Sequence, residues 1–477
     1  MFRWLNEKIK NGRFREFSEE CLWIWQYIYR YRASVALHIF LGAVGIAMTL
    51  ASSVAGKFLI DAVISFDSGV LGSAAAVMIG MRLGNIFMKS LFSRIGAGVN
   101  INIQNKIQEE IYCRILDTDW QSLEKYSVGD LLERVTGDVN TVSGSITGLV
   151  PSFVSSAVQF FGAFLIIFYY DYVMAMIALV GIPLTGIASM LLVKKMRRRN
   201  REMKDIYSNL VSFQQDSLQN ITSIKSFGIT GLFGKNFEKV QAEYRKKYLD
   251  YNKFSVWTSA LMSLLGFAAY IGCFGWGIYR LWTGAITYGE MTMFMQLSTM
   301  LGAAFSSLAG LVPSAISATT SARRIMNVVQ LPNEVTEPEE GFANENSFTV
   351  SMQKVCFRYN GGEPVLNNID FTAKPGELVS VSGPSGEGKT TVLRTMLGLV
   401  APSEGFSGLI GESGKKYKAS AATRKVFSYV PQENAIFLGT VAQNLRISNS
   451  DATDEELIEA LKIACAYDFV MAFPEGI

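Results

Sequence analysis

Residues 378–390 read Leu-Val-Ser-Val-Ser-Gly-Pro-Ser-Gly-Glu-Gly-Lys-Thr, and this stretch decides how the C-terminal part of the chain folds. Its first five residues are apolar and partly β-branched, which predicts a strand. Its last eight residues have the spacing G-x-x-x-x-G-K-T of a phosphate-binding loop, and the apolar positions that follow predict a helix. Successive backbone N–H groups and the positive end of the helix dipole hold phosphates in such a loop. The sequence therefore predicts a nucleoside triphosphate site.

Two side chains of this loop carry chemistry that a triphosphate needs. Lys389 would reach the outer phosphates, and the hydroxyl of Thr390 would ligate Mg²⁺. The alternative is a chance match of the spacing. The strand predicted before the loop and the helix predicted after it supply the context that the motif requires, so they favour the functional interpretation.

The composition indicates a membrane protein and excludes several other classes. Of the 477 residues 49% are hydrophobic and only 18% are charged, and the net charge of +3 gives no argument for a nucleic-acid partner. Five cysteines are scattered without a C-x-x-C spacing, which argues against a disulfide framework or a zinc site. His38 is the only histidine, so a site built from several histidines is excluded.

Long uncharged runs predict six membrane spans joined by two polar helical excursions, 93–138 and 202–252. The predicted spans are 33–56, 70–92, 139–170, 172–193, 254–279 and 291–315. Arg82 and Lys89 interrupt the second span, Pro183 predicts a kink in the fourth, and Lys57 and Asp61 stand four residues apart, where they can pair on one helix face.

Charge placement predicts the orientation of these spans. Residues 1–32 combine basic side chains with a Trp/Tyr cluster, which is typical of a helix at the cytoplasmic membrane surface; a solvated amphipathic helix is the alternative. The basic run 194–201 follows the fourth span, and the positive-inside rule places that end in the cytoplasm. The acidic segment 331–346 lacks periodicity and predicts an exposed linker. Beyond it, short strands are predicted at 348–350, 355–359, 369–373 and 427–432.

These features together resemble one half of an ABC exporter, in which the membrane and ATPase domains are fused. The resemblance covers essentially the whole chain. Phe357-Arg358-Tyr359 is similar to the aromatic loop of the family, and residues 429–433 (Tyr-Val-Pro-Gln-Glu) are similar to its glutamine loop. Residues 126–132, with Arg134 and Asp138, resemble the first intracellular loop. Coupling helices would lie at 120–124 and near 226–233.

The resemblance implies an α-helical polytopic membrane domain with six transmembrane helices and long cytoplasmic extensions, followed by a partial α/β P-loop ABC ATPase domain. It divides the chain into an N-terminal interfacial helix (1–32), the transmembrane domain (33–330), a linker (331–346) and the partial nucleotide-binding domain (347–477). The cofactors implied are ATP and Mg²⁺. The residues implied to bind ATP are Tyr359, Gly383, Pro384, Ser385, Gly386, Gly388, Lys389, Thr390, Thr391 and Gln432. Of these, Thr390 and Gln432 would also contact Mg²⁺.

Two departures from the family pattern limit what the resemblance implies. Glu387 stands where a small residue is common, and its carboxylate is expected to point to solvent. In the family, the signature motif, the Walker B aspartate with the catalytic glutamate, and the switch histidine follow the point where this sequence stops, so no catalytic residue is assigned. We expect the sheet to lack the strand that normally lies beside the phosphate-loop strand, leaving an exposed edge.

The implied function is that of a half-transporter in the cytoplasmic membrane, with its N-terminus and ATP-binding domain in the cytoplasm. It would dimerise with an identical or different half and export an unidentified substrate by alternating access. The alternative is a truncated membrane protein that binds ATP without hydrolysing it. An importer is less favoured, because importers usually encode the two domains separately. Lys57, Asp61, Arg82 and Lys89 are candidate cavity residues, or they pair structurally near helix ends.

Overall fold

The computed structural model describes residues 14–337, 339–359, 362–384, 386–432 and 435–477; the side chains of 14–17, 180–194, 197, 269 and 309 are excepted. The chain forms two compact units. The first contains the described residues up to Thr118 together with Leu123–Leu331. The second contains Asp119–Ser122 together with Pro332–Ile477.

The first unit is built from long helices that follow the uncharged runs and their polar extensions. The helices are α1 (Phe14–Arg30), α2 (Arg32–Ser65), α3 (Ser68–Asp117), α4 (Trp120–Leu123, of which 120–122 belong to the second unit), α5 (Val128–Glu133), α6 (Val139–Tyr170), α7 (Tyr172–Gln219), α8 (Ile221–Ser226), α9 (Thr230–Trp282) and α10 (Tyr288–Val329). A π-helical turn, Arg134–Asp138, joins α5 to α6. Side-chain caps fix the reversals: Asp67 accepts from Gly69 N–H at 3.0 Å, and Asp171 accepts from Met174 N–H at 3.0 Å.

Among the described residues, five helical stretches are long and apolar enough to cross a membrane by length and composition. They are Arg32–Ser65, Ser68–Asp117, Val128–Tyr170, Thr230–Trp282 and Tyr288–Val329, and they contain five of the six predicted spans. The predicted fourth span lies in α7, where residues 180–194 have no described side chains. The kink predicted at Pro183 falls in that stretch.

Two apolar clusters hold the first unit together. One joins Leu50, Ile167, Met174, Cys273 and Phe294, so that it includes side chains from five of the long helices. The other includes Ile103, Ile107 and Ile111 of α3, which lie four residues apart and are 0–1% exposed. Spacing by four places these side chains on one helix face, which explains why a single stripe of α3 is buried.

Helix α1 packs on the first unit at its buried face. Tyr27, expected in an interfacial aromatic cluster, is buried in the second apolar cluster, and its hydroxyl donates to Glu110 Oε2 at 2.7 Å. Burial and that bond to a carboxylate raise the pKa of the Tyr27 phenol. Arg323 Nε donates to Glu20 Oε1 at 2.6 Å, which ties α1 to α10. Trp25 and Tyr29 remain exposed.

The pairing predicted between Lys57 and Asp61 is wrong. Lys57 Nζ lies 2.9 Å from Glu290 Oε1 on α10, and its ammonium lies 4.3 Å from the ring centre of Tyr170. Asp61 accepts from Thr287 Oγ1 at 2.8 Å and from Gly289 N–H at 2.9 Å. The N-terminus of α10 offers unpaired N–H groups and a positive dipole end that hold the Asp61 carboxylate, while the buried Lys57 ammonium pairs with Glu290 instead.

The second unit contains a four-stranded antiparallel sheet with the strand order β2-β1-β3-β4. The strands are β1 (Phe348–Phe357), β2 (Leu366–Ala373), β3 (Glu404–Gly411) and β4 (Lys416–Lys418). The helices of this unit are α11 (Lys389–Met396), α12 (Val441–Leu445), α13 (Asp454–Ile463) and α14 (Tyr467–Met471), in addition to residues 120–122 of α4. Strand β1 joins two predicted strands through an irregularity near Lys354, whose φ is 50°.

Two predicted strands do not form. Residues 378–382 and 427–432 lie in no strand, and among the described residues nothing pairs with them. Leu378 and Val430 are consequently exposed by 101% and 89%. An apolar, β-branched run becomes a strand only when a neighbour satisfies its backbone groups, and the antiparallel sheet present here pairs other segments. The expected unpaired edge is therefore replaced by an irregular segment leading into the loop.

The segment predicted as a linker, 331–346, is anchored to the second unit at three points. Glu334 forms a bidentate ion pair with Arg424 at 3.1 and 3.2 Å. Phe342 is buried against Leu409 and Tyr417. Glu345 accepts from the Ser413 hydroxyl and from Ser413 N–H.

Candidate nucleotide-binding site

The glycine-rich loop is shaped by backbone angles that other residues rarely adopt. Gly386 has a φ of 91° and Gly388 has a φ of 85°. A Cβ atom on Gly388 would lie 3.0 Å from Val365 Cγ1 and 3.1 Å from Val365 O, so both space and conformation require glycine there. Gly388 is also the residue from which α11 starts. The loop therefore delivers the chain to the N-terminus of α11 in a form that only glycine allows.

Lys389 lies over this loop. Its ammonium donates to Gly383 O at 2.7 Å and to Pro384 O at 2.6 Å. These carbonyls are neutral acceptors, so the positive charge of Lys389 is not cancelled by them. A phosphate oxygen is a stronger, charged acceptor for the same ammonium. Gly386 has no atom within 4 Å of a built Cβ, which leaves room above the loop. The donor set and the open glycine fit a phosphate chain.

Tyr359 is brought to the first turn of α11. Its hydroxyl lies 3.4 Å from Thr391 Oγ1, and its ring meets Phe357 edge to face with 4.7 Å between centroids. Thr391 is 6% exposed, and its carbonyl accepts from Thr395 Oγ1 at 2.7 Å. The aromatic side chain and the phosphate loop, which are about thirty residues apart in sequence, therefore share one region of the second unit.

The remaining predicted site residues make fewer described contacts, and one of them lies outside the described residues. Gly383, Pro384 and Thr390 are exposed on the loop and on the first turn of α11. Ser385 lies outside the described residues. Gln432 is exposed, and no hydrogen bond joins it to the loop within the part of the chain that the structure describes; its neighbours 433–434 lie outside that part.

Glu387 is exposed, as expected, but its carboxylate stays near the loop. A Cβ built on Gly383 would lie 3.3 Å from Glu387 Oε2. Because Gly383, the first glycine of the motif, has no side chain, the Glu387 carboxylate can lie close to it. A negative charge here opposes phosphate binding unless it swings away or faces a cation.

Arg424, which no sequence motif singled out, lies at the C-terminal end of α11. Its Nε donates to Leu397 O at 3.0 Å, while its two terminal nitrogens pair with Glu334. Cationic side chains at a helix C-terminus satisfy the last carbonyls and favour the dipole. The partners of Arg424 lie 27 and 90 residues away, and no local pattern links them.

In the first unit, the predicted first intracellular loop forms a charge cluster with α10. Arg134 Nε lies 2.9 Å from Asp130 Oδ2, and Arg324 Nη2 lies 2.8 Å from Asp130 Oδ1. Arg324 also lies 3.3 Å from Asp138 Oδ2, at the π-helical turn. Resemblance pointed to Arg134 and Asp138, whereas Arg324, almost 200 residues away, emerges only from the fold.

Comparison with known families gives two matches along the chain. A model of the ABC transporter transmembrane region matches residues 35–305, and a model described as ABC transporter matches residues 366–472. The second match includes the phosphate loop.

Curated relatives are similar at low identity over most of the chain. The ATP-dependent lipid A-core flippase of Syntrophus aciditrophicus is 24% identical over 391 residues, covering 82% of this chain and 64% of the relative. A putative export ATP-binding/permease protein of Rickettsia bellii is 23% identical over 88% of this chain and 72% of its own length. A multidrug resistance ABC transporter ATP-binding and permease protein of Lactococcus lactis is 23% identical over 90% of this chain and 73% of its own length. The chain thus spans less than two thirds of the length of the flippase.

Proposed function

Because the chain belongs to the ABC transporter family, with a transmembrane region and an ATP-binding region in one polypeptide, we propose that it is an exporter-type half-transporter. It pairs with a second half-transporter, identical or different, and exports a substrate across the cytoplasmic membrane. ATP binding and hydrolysis supply the free energy that alternates the membrane cavity between the two sides.

The observation that carries this proposal is the phosphate loop with Lys389 above it and Tyr359 beside it. Gly386 and Gly388 expose backbone N–H groups, and Lys389 provides the mobile positive charge for the outer phosphates. Tyr359 offers an aromatic face for the adenine. The Thr390 hydroxyl and the Gln432 amide are the groups proposed to contact Mg²⁺, which prefers oxygen ligands.

The orientation of the transporter is proposed from charge. The basic run 194–201 follows the predicted fourth span, and a basic N-terminal segment precedes the first. Both lie at the same side when an even number of spans separates them. This side is proposed to be cytoplasmic, and the ATP-binding region follows six spans and therefore lies on it as well.

A role in coupling is proposed for α4, whose residues Trp120–Leu123 fall in the predicted first coupling helix. Ser122 N–H donates to Asp119 Oδ1 at 2.9 Å, and Asp119 N–H donates to Pro332 O at 3.1 Å. These bonds fix a short turn at the point where the chain reverses between α3 and α5.

The test is ATP binding by the whole chain in lipid nanodiscs, measured as nucleotide-dependent thermal stabilisation. Lys389→Ala removes a charge-assisted contact worth roughly 1.5–3 kcal/mol, so ATP affinity should fall by about ten- to a hundredfold. Lys374→Ala is the matched control, because it removes an exposed ammonium from a turn of the same unit. Equal ATP affinity in the parent and in Lys389→Ala would contradict the assignment of the loop.

A further inference from the structure

A charged cleft lies between α7 and α9, outside every site described above. Its volume is about 380 Å³. The residues that line it are Lys195, Arg198, Arg199, Glu202, Lys247, Asp250 and Tyr251. Four of these side chains are cationic and two are anionic, so the lining carries a surplus of positive charge.

Part of this charge is already compensated. Glu202 lies 3.2 Å from Arg198 Nε and 3.4 Å from Lys247 Nζ. Hydrogen bonds from Arg198 and Lys247 lower the pKa of Glu202, which keeps it ionised at neutral pH. One carboxylate therefore serves two cations at the rim of the cleft.

The charges of Lys195 and Arg199 are not compensated in this way. Arg199 Nη1 donates to the backbone carbonyl of Asp250 at 3.2 Å, and its guanidinium lies 4.9 Å from the ring centre of Phe254. Lys195 Nζ lies 5.6 Å from the same ring centre. Among the described residues no carboxylate lies within ion-pair distance of either. Two like charges four residues apart repel on a helix, and an anion between them removes that cost.

The position of the cleft along α7 indicates the surroundings of such an anion. The uncharged run of the fourth span ends at residue 193, and Lys195 follows two residues later, about 3 Å further along a helix. A span that ends there brings Lys195 and Arg199 to the level of the lipid headgroups. Tyr251, whose hydroxyl accepts from Asn200 Nδ2 at 3.2 Å, and Phe254 add the aromatic character of the membrane interface.

We propose that this cleft binds a phosphate group, with Lys195 and Arg199 as its principal ligands and Arg198 and Lys247 at its rim. The phosphate belongs to the headgroup of an anionic lipid or to a soluble phosphate ester. Basic pockets between membrane helices at the headgroup level are suited to anionic lipids. The site is distinct from the phosphate loop, and lipid headgroups lie at this end of the fourth span in either orientation.

The test measures binding of phosphatidylglycerol to the whole chain in neutral detergent, without nucleotide, by native mass spectrometry. The double variant Lys195→Gln/Arg199→Gln should raise the dissociation constant of the first bound lipid by about 25-fold, or about fivefold per basic residue. Lys195→Gln alone should raise this dissociation constant about fivefold, and this milder variant replaces the double variant if the latter does not fold. A parallel titration with inorganic phosphate identifies where the bound phosphate group comes from. If millimolar phosphate competes with the lipid, the ligand is a soluble phosphate ester; if it does not compete, the ligand is the lipid headgroup.

The matched control is Lys235→Gln/Lys239→Gln, which removes two exposed charges from α9 about 12 Å or more from Lys247. The control should bind phosphatidylglycerol as the parent does. An equal loss in the two double variants would show general charge attraction and overturn the proposal. Unchanged binding in Lys195→Gln/Arg199→Gln would overturn it as well. Because nucleotide is absent, neither result bears on the ATP site.

Discussion

Breaking the ion pair between Lys57 and Glu290 tests whether a buried pair of charges stabilises the first unit. The two charged groups are 2.9 Å apart, and their side chains are only 11% and 16% exposed. Glu290 also accepts from Thr287 N–H at 3.0 Å and completes the capping box that starts α10. Glu290→Gln keeps a carbonyl oxygen for that cap and removes the charge, while Lys57→Met keeps the apolar stem and removes the ammonium.

Each single variant leaves one charge without its partner in a poorly solvated place. Breaking a buried pair in this way costs about 3–5 kcal/mol, whereas replacing both charges costs much less. The double variant should therefore be more stable than either single variant. Lys106 and Glu109 provide the matched control, since their pair is also 2.9 Å long but the Glu109 side chain is 62% exposed. Glu109→Gln should cost at most about 0.5 kcal/mol.

The assay is thermal unfolding of the whole chain and its variants in lipid nanodiscs of one composition. Glu290→Gln and Lys57→Met should each lower the unfolding midpoint by several degrees, and the double variant should recover part of the loss. Glu109→Gln should leave the midpoint nearly unchanged. Additive losses in the double variant, or losses no larger than that of Glu109→Gln, would refute the buried pair.

Three further predictions concern the second unit. Gly388→Ala meets both an unfavourable φ and the Val365 contact; it should cost at least about 1–2 kcal/mol in thermal or chemical unfolding and weaken ATP binding. Tyr359→Phe loses only the hydroxyl contact to Thr391, so its ATP affinity should stay within about threefold of the parent. Tyr359→Ala loses the aromatic face that stacks on the base, so its ATP affinity, measured in an ATP titration, should fall about tenfold or more. Hydrogen bonds from Ser413, chiefly the hydroxyl, hold the pKa of Glu345 below its ordinary value of 4.5, so their stabilisation is present above that value and is lost as pH falls through the lower, folded-state pKa. Ser413→Ala should therefore reduce the acid sensitivity of the unfolding midpoint below about pH 4.5 and lower the midpoint at pH 7.

The helices and the loop were predictable because their signals are local. An uncharged run such as 139–170 needs no partner to specify a helix of membrane length, and α6 matches it residue for residue. The spacing from Gly383 to Thr390 likewise carries its own backbone requirements, which the positive φ of Gly386 and Gly388 satisfies. The structure brings the Tyr359 hydroxyl to 3.4 Å from Thr391 Oγ1 after this loop, while its contact with adenine stays a prediction from resemblance.

Most of the failures involve partners far apart in sequence, although β4 pairs with the neighbouring strand β3. Lys57 pairs with Glu290 across more than 230 residues, although Asp61 is only four residues away. Residues 378–382 have the composition of a strand, but strand formation depends on which neighbour pairs with them. The strands β3 and β4 were not predicted, and β3 is specified largely by its pairing with β1. Composition sets what a segment can do, and tertiary pairing decides which possibility is realised.

In the proposed nucleotide site, Tyr359 and the loop at Lys389 bind the same ATP molecule. Photolabelling the whole chain with 8-azido-ATP in lipid nanodiscs, followed by peptide mapping, tests it most directly. We expect labelling of the peptide that contains Tyr359. This labelling should be competed by unlabelled ATP, strongly reduced in Lys389→Ala and retained in Lys374→Ala. Labelling confined to other peptides, or labelling that Lys389→Ala leaves unchanged, would contradict it.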